Sequence, residues 1–93
     1  MKMFSVQDTK AEYYATPFFM KSHGEAIRSF GDECNSPDEA SLISKHPEDF
    51  VLYYLGEFDQ ETGEFIPALP IVSLGRGTDY TLLHGGSTPP ANE

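Results

Sequence analysis

The sequence has little cysteine, few basic residues, no tryptophan and no long apolar run. Cys34 is the single cysteine among 93 residues, so no intramolecular disulfide can form and the fold does not depend on an oxidising compartment. No stretch approaches the roughly 20 apolar residues that a membrane helix needs, and the first residues lack the apolar run of a signal peptide. These absences predict a protein of a reducing cytoplasm that makes no use of a membrane.

Basic side chains are scarce, with 6 against 15 acidic ones and a net charge of -9. Residues 1–30 carry four basic and three acidic side chains, whereas residues 31–93 carry two basic and twelve acidic ones. Nucleic-acid affinity comes largely from neutralising phosphates, so an evenly acidic surface would repel DNA. A DNA-binding surface would therefore have to come mainly from the first thirty residues.

The chain length leaves room for one domain with one core. Hydrophobic residues make up 39% of the sequence and aromatic residues 13%, which is typical of a globular protein. We predict a single domain over residues 1–83. Residues 84–93 (HGGSTPPANE) are polar and rich in glycine and proline, and they are predicted to form a disordered tail.

Several segments have the patterns of β-strands. The strongest is 50–55, whose apolar residues on both faces predict a central strand that continues to residue 59 and turns back at Gly63. Pro67 and Pro70 are expected to interrupt the returning arm. The other predicted strands cover residues 2–8, 18–20 and, at a sheet edge, 71–74, with residues 9–16 irregular.

Two segments have helix signals. Ser22 and Glu25 have the spacing of a capping box, and an apolar stripe at helical spacing follows. A second start signal at Ser36-Pro37 predicts a short helix that ends near Lys45. The stripe of the main helix consists of Ala26, Ile27, Phe30 and Cys34. The predicted fold is α+β, a small antiparallel sheet of four to five strands with one main helix packed on it and a second short helix.

No pattern matches a catalytic or cofactor site. His23, His46 and His84 lie far apart and have no second ligand at metal spacing. Cys34 lies on the apolar helix face, which predicts a buried, inert thiol. Residues 59–63 depart from a calcium loop because the glycine comes one position early. We therefore expect no enzymatic activity, no cofactor and no metal.

The first thirty residues interleave cations with aromatic rings. Cations that follow phosphates and rings that stack on bases are what single-stranded nucleic-acid binding requires. Because the core needs most of the phenylalanines, Tyr13 and Tyr14 are the better candidates for exposed rings. The candidate nucleic-acid-binding residues are Lys2, Lys10, Tyr13, Tyr14, Lys21 and Arg28.

A second reading of the same sequence is a protein-interaction module. Its acidic hairpin would dock a basic protein, for example as a mimic of DNA. The candidate residues are Glu57, Asp59, Glu61 and Glu64. An exposed strand edge and the heavy aromatic content are also compatible with a homodimer.

The order of several segments resembles the small nonstructural protein of gokushoviruses, which are single-stranded DNA phages of the microvirus group. The segments, all within residues 1–80, are MKMFSVQDTKAE, PFFM, GEAIRSF, SKHPEDFVLYYLGEFDQETG and SLG. Ser36 departs from the family pattern, in which aspartate usually precedes Pro37. The segment after Tyr80 is longer than the family pattern.

The resemblance implies an early, non-capsid protein made in the infected bacterium. By this resemblance it acts in replication or packaging of the single-stranded DNA genome, and its partner is single-stranded DNA or a phage or host replication protein. Direct DNA binding remains open at this point. So does the interaction module, which would dock a basic host or phage protein as a DNA mimic or as a binder of a host factor.

Overall fold

The computed structural model describes residues 1–81. They form an antiparallel sheet with one main helix and one short helix, which confirms the predicted α+β class. The predicted tail at 84–93 lies outside the described residues. The strands are β1 (Lys2–Asp8), β2 (Tyr13–Tyr14), β3 (Phe18–Met20), β4 (Phe50–Phe58) and β5 (Phe65–Arg76), and the helices are α1 (His23–Cys34) and α2 (Leu42–Lys45).

The sheet is built around the pairing of β1 with β4. The order is β2-β1-β4-β5, and β3 joins the same edge of β1 as β2 does. Ser5 lies opposite Tyr53, and the register shifts by one residue between Met3 and Phe4. The prediction of a central strand from residue 50 is confirmed, and so are the strands at 2–8 and 18–20.

One edge of the sheet is formed by a single stretch that contains β2 and β3. Residues 9–16 were expected to be irregular, but Tyr13–Tyr14 pair with Asp8 and Gln7. Ala15 continues the contact by donating its N–H to the Val6 carbonyl at 2.8 Å. The prediction was wrong because a two-residue strand is shorter than any alternation pattern that a sequence can display.

The opposite edge is β5, which is one strand of 12 residues. Pro67 and Pro70 were expected to interrupt it. The strand itself continues through both prolines, but its regular pairing with β4 is interrupted between Pro67 and Val72, so the prediction is wrong for the strand and confirmed for the pairing. The predicted edge strand at 71–74 is part of β5. Proline lacks only an N–H, and an edge strand has one side without a ladder, so proline is tolerated there. The register between β4 and β5 shifts between Tyr54 and Gly56, which leaves residues 68–71 outside the regular pairing. The predicted hairpin turn is confirmed, with Gly63 at φ 80°.

The main helix α1 begins where the capping pattern predicts. Ser22 accepts a hydrogen bond from the Glu25 N–H at 3.1 Å. The Glu25 carboxylate accepts from the N–H of Lys21, one residue before the expected partner. Ala26, Phe30 and Cys34 are buried against the sheet, which confirms the apolar stripe.

The short helix α2 begins later than predicted. Its N-cap is Ser41, whose side chain accepts from the Ser44 N–H, and residues 36–40 are not helical. Ser36 instead accepts from the Asp38 N–H, and Asp38 accepts from the Ala40 N–H. Serine and aspartate form such local turns as readily as helix caps, which explains the error. The predicted end near Lys45 is confirmed.

The core lies between α1 and one face of the sheet. Phe4 of β1 and Leu52 of β4 are fully buried, and Phe30 of α1 is 3% exposed. The Phe30 ring meets the Tyr80 ring edge-on, with centroids 6.0 Å apart. Among residues 1–81, no helix is long and apolar enough to cross a membrane.

We expect Phe30→Ala to lower the free energy of unfolding by about 3–5 kcal/mol, since it removes a buried ring and leaves a cavity. Such a loss would unfold much of a domain whose total stability is on the order of 5 kcal/mol. Denaturant unfolding followed by circular dichroism measures it. The matched control is Phe65→Ala on edge strand β5, where the ring is 43% exposed and the loss should be far smaller. Equal losses in the two variants would contradict this assignment of the core.

Candidate functional site

The sheet has one face toward the helices and one face away from them. Successive side chains of a strand point to opposite faces, and paired residues share a face. Phe18 and Tyr54 contact Phe4 in the core, so they lie on the helix face. Their neighbours Phe19 and Tyr53 therefore lie on the other face, which we call the open face.

The stretch of residues 10–21, which we call the edge segment, gathers four of the predicted nucleic-acid-binding residues. Lys10 and Lys21 are exposed at its two ends, and Tyr13 and Tyr14 are 56% and 45% exposed between them. The segment is held against β1, where the Ser5 hydroxyl donates to the Ala15 carbonyl at 2.7 Å. Neither lysine forms an ion pair within the described residues.

The other two predicted cations lie elsewhere. The Lys2 ammonium lies 2.8 Å from a carboxylate oxygen of Glu57, which belongs to the alternative acidic set. Arg28 is exposed on α1, two residues from both Ala26 and Phe30, and so it lies on the helix side that faces away from the sheet. The six predicted residues therefore do not form one continuous surface.

Tyr13 and Tyr14 also point in different directions. The Tyr14 ring contacts Tyr53 on the open face, with centroids 5.6 Å apart. Because neighbours in a strand alternate, Tyr13 projects toward the helix side. The two tyrosines have the same side chain and adjacent positions, but they lie on opposite faces of the sheet.

The open face holds aromatic residues that were not singled out from the sequence as binding residues. Phe19 of β3 contacts Phe58 of β4, with centroids 5.9 Å apart. Phe19 is one of the phenylalanines that the core was expected to need, but it is 44% exposed. The apolar run in β4 shows no alternation that separates its two faces, so the sequence carried no signal that Tyr53 and Phe58 lie on the open face.

Most of the predicted acidic residues have partners within the protein. Glu57 accepts hydrogen bonds from Lys2 and, at 2.9 Å, from the Tyr54 hydroxyl. Asp59 accepts from the Glu61 and Thr62 N–H groups, which holds the pKa of its carboxyl below the usual range. The Glu64 carboxylate lies 3.4 Å from the Thr62 hydroxyl. The Glu61 carboxylate alone of the four has no such partner within residues 1–81.

The structure brings one set of potential metal ligands together. Ligand atoms of His46, Glu48 and Asp49 lie within 4.8 Å of one another in the turn before β4. They are largely exposed, and exposed acidic groups often cluster in this way without an ion. His23 lies apart from them and packs on the Tyr54 ring, 4.6 Å between centroids. His84 lies outside the described residues.

The geometry defines a small acidic α+β protein with an aromatic sheet edge between two exposed lysines. The Phage ORF5 protein family matches the chain over residues 1–80. The chain is also similar to Protein ORF5 of Chlamydia phage 1, with 37% identity over 70 residues, which cover 72% of each chain. No solved structure matches it. The protein therefore belongs to the Phage ORF5 family and is a nonstructural protein of a microvirus-type phage.

The Lys2–Glu57 pair predicts a specific dependence on pH. Hydrogen bonds from Lys2 and then Tyr54 hold the pKa of Glu57 below its ordinary value. A lowered carboxyl pKa stabilises the fold above the ordinary value of about 4.3, and this contribution is lost as the pH falls through the folded-state pKa. Lys2→Met should raise the pKa of Glu57 in an NMR titration of its carboxyl group. Lys10→Met is the control and should leave that pKa unchanged; a Glu57 pKa that is equally low in Lys2→Met would contradict the pairing.

Cys34 should react slowly in the native protein. The residue is buried, and burial, followed by the nearby Glu33 charge, raises the pKa of its thiol to about 11. The reactive species is the thiolate, which is then rare at neutral pH and shielded from solvent. Labelling with a thiol reagent should be much slower in buffer than in denaturant. Equal rates would show that the thiol is accessible.

Proposed function

We propose that this protein is a nonenzymatic phage accessory protein that binds single-stranded DNA weakly during genome replication or packaging in the host cytoplasm. The observation that carries the proposal is the edge segment, where exposed aromatic rings lie between two exposed lysines. Rings that stack on bases and cations that meet phosphates together form the usual binding surface for single strands. Membership in a protein family of single-stranded DNA phages supports the same role.

The charge distribution makes the binding weak. The chain carries a net charge of -9, and the Lys2 charge is already offset by Glu57. Lys10 and Lys21 are the cations on the edge segment. At about 0.7 counterions per phosphate contact, two lysines give a slope near −1.4 for the logarithm of affinity against that of salt. We expect binding that is measurable at low salt and lost near physiological salt.

The acidic interaction module receives less support from the geometry. Glu57 is paired with Lys2 of β1 and Asp59 accepts hydrogen bonds within the hairpin turn, so both carboxylates are partly occupied within the protein itself. The module remains the alternative if DNA is not bound, with a phage or host replication protein as the partner. Purification of tagged protein from infected cells, with and without nuclease, separates the two functions. A replication protein that stays bound after nuclease treatment favours the module.

The direct test is titration of a labelled oligothymidylate at two low salt concentrations. Wild type should show a slope near −1.4, and the double variant Lys10→Gln/Lys21→Gln should show a weaker affinity and a slope near zero. Arg28→Gln is the matched control, because it removes one cation on the far side of the helix and should change little. Absence of binding by wild type at the lower salt concentration ends the DNA hypothesis.

A further inference from the structure

The open face of the sheet carries two pairs of aromatic rings. Tyr14 and Tyr53 form one pair, and Phe19 and Phe58 form the other. Tyr14 lies opposite Gln7 and Phe19 opposite Met3, so the pairs are four residues apart along β1. At 3.3 Å per residue this is about 13 Å.

We propose that these two pairs form a stacking platform for bases of a single DNA strand that crosses the open face. The inference rests on the proposed DNA binding and assigns it to a face, with Tyr14, Tyr53, Phe19 and Phe58 as the contacting residues. Lys10 and Lys21, at the two ends of the edge segment, would then meet the backbone of the same strand.

The exposure of these rings supports the platform. Large aromatic side chains normally lie in the core of a small domain, because burial of their surface is favourable. Here both helices pack on the other face, where Ala26, Phe30 and Ile43 meet the core cluster. Tyr14 and Phe19 remain about half exposed, and Tyr53 and Phe58 are partly exposed beside them.

The electrostatics of the open face also suit a DNA strand. The side chains between the two pairs are uncharged, although the chain as a whole is strongly acidic. Glu57 does not reach this face, because it pairs with Lys2 and Tyr54 on the helix face. Ser5 of β1 lies between the pairs, and the uncharged Met3 and Gln7 lie opposite Phe19 and Tyr14 themselves. The Asp8 carboxylate of β1 shares the helix side with Tyr13 and Phe50, so β1 presents no carboxylate on the open face to phosphates that cross it.

The geometry also determines the kind of nucleic acid. Every base has a π-face, so stacking on rings is tolerant of sequence. Bases in a duplex are already stacked and paired, and they cannot lie on a sheet without being separated. The platform therefore predicts binding of single strands of any sequence and little binding of the matching duplex.

Tyr13 and Tyr14 provide a matched test, because they are neighbours with the same side chain on opposite faces. We expect Tyr14→Leu and Phe19→Leu each to weaken binding of oligothymidylate by about 5- to 150-fold at fixed low salt, the loss of one stacked base. Tyr13→Leu should bind like wild type, and Tyr14→Phe should retain most of the affinity. All four variants should keep the melting temperature of wild type within a few degrees, because these rings are exposed.

The outcomes separate this inference from the proposed function. If wild type does not bind oligothymidylate, the proposed function fails and the platform fails with it. If wild type binds but Tyr13→Leu and Tyr14→Leu are weakened equally, DNA binding stands and the platform is wrong. If Tyr14→Leu instead lowers the sedimentation coefficient of the protein without DNA, the open face is a contact between two copies of the chain, which also overturns the platform.

Discussion

The pairing of β1 with β4 is the constraint on which the rest of the molecule depends. These two strands form the centre of the sheet, and their register decides which side chains lie under α1 and which lie on the open face. Because side chains alternate along a strand, a slip of one residue would exchange the two sets completely. The register places Phe4, Leu52 and Tyr54 toward the helix, and Tyr53 is then turned away from it. The core and the candidate binding surface are thus two results of one pairing.

Two of the acidic side chains are paired or hydrogen-bonded within the protein. Glu57 joins Lys2 across the β1–β4 pair, and Asp59 holds the turn through two backbone N–H groups. An exposed ion pair of this kind contributes little to stability, but it removes one cation and one anion from the surfaces that meet partners. The surface proposed for a DNA strand is then the aromatic open face with Lys10 and Lys21 beside it. Stacking would then contribute more to affinity than charge does.

Much of the fold could be predicted from local patterns, and the errors share a cause. The alternation of residues 2–8, the cap at Ser22 and the apolar run from residue 50 each describe an element that a short window contains. The strand at Tyr13–Tyr14 and the continuation of β5 past Pro67 depend instead on a neighbouring strand. β1 supplies hydrogen bonds to the short strand, and the edge position of β5 makes a missing N–H harmless. The candidate site followed the same division: the exposed tyrosines were found, whereas Tyr53 and Phe58 were not.

The sequence by itself determined the class of the fold, the burial of Cys34, the small excess of cations in the first thirty residues and the resemblance to a phage protein family. These depend on composition, periodicity and the order of motifs. Only the tertiary structure decided that Lys2 is paired with Glu57, that Arg28 lies on the far side of α1, and that Tyr13 and Tyr14 occupy different faces. The physical reason is that a strand pattern gives the alternation of side chains but not which set faces the helix. That choice is made by packing between residues far apart in the chain.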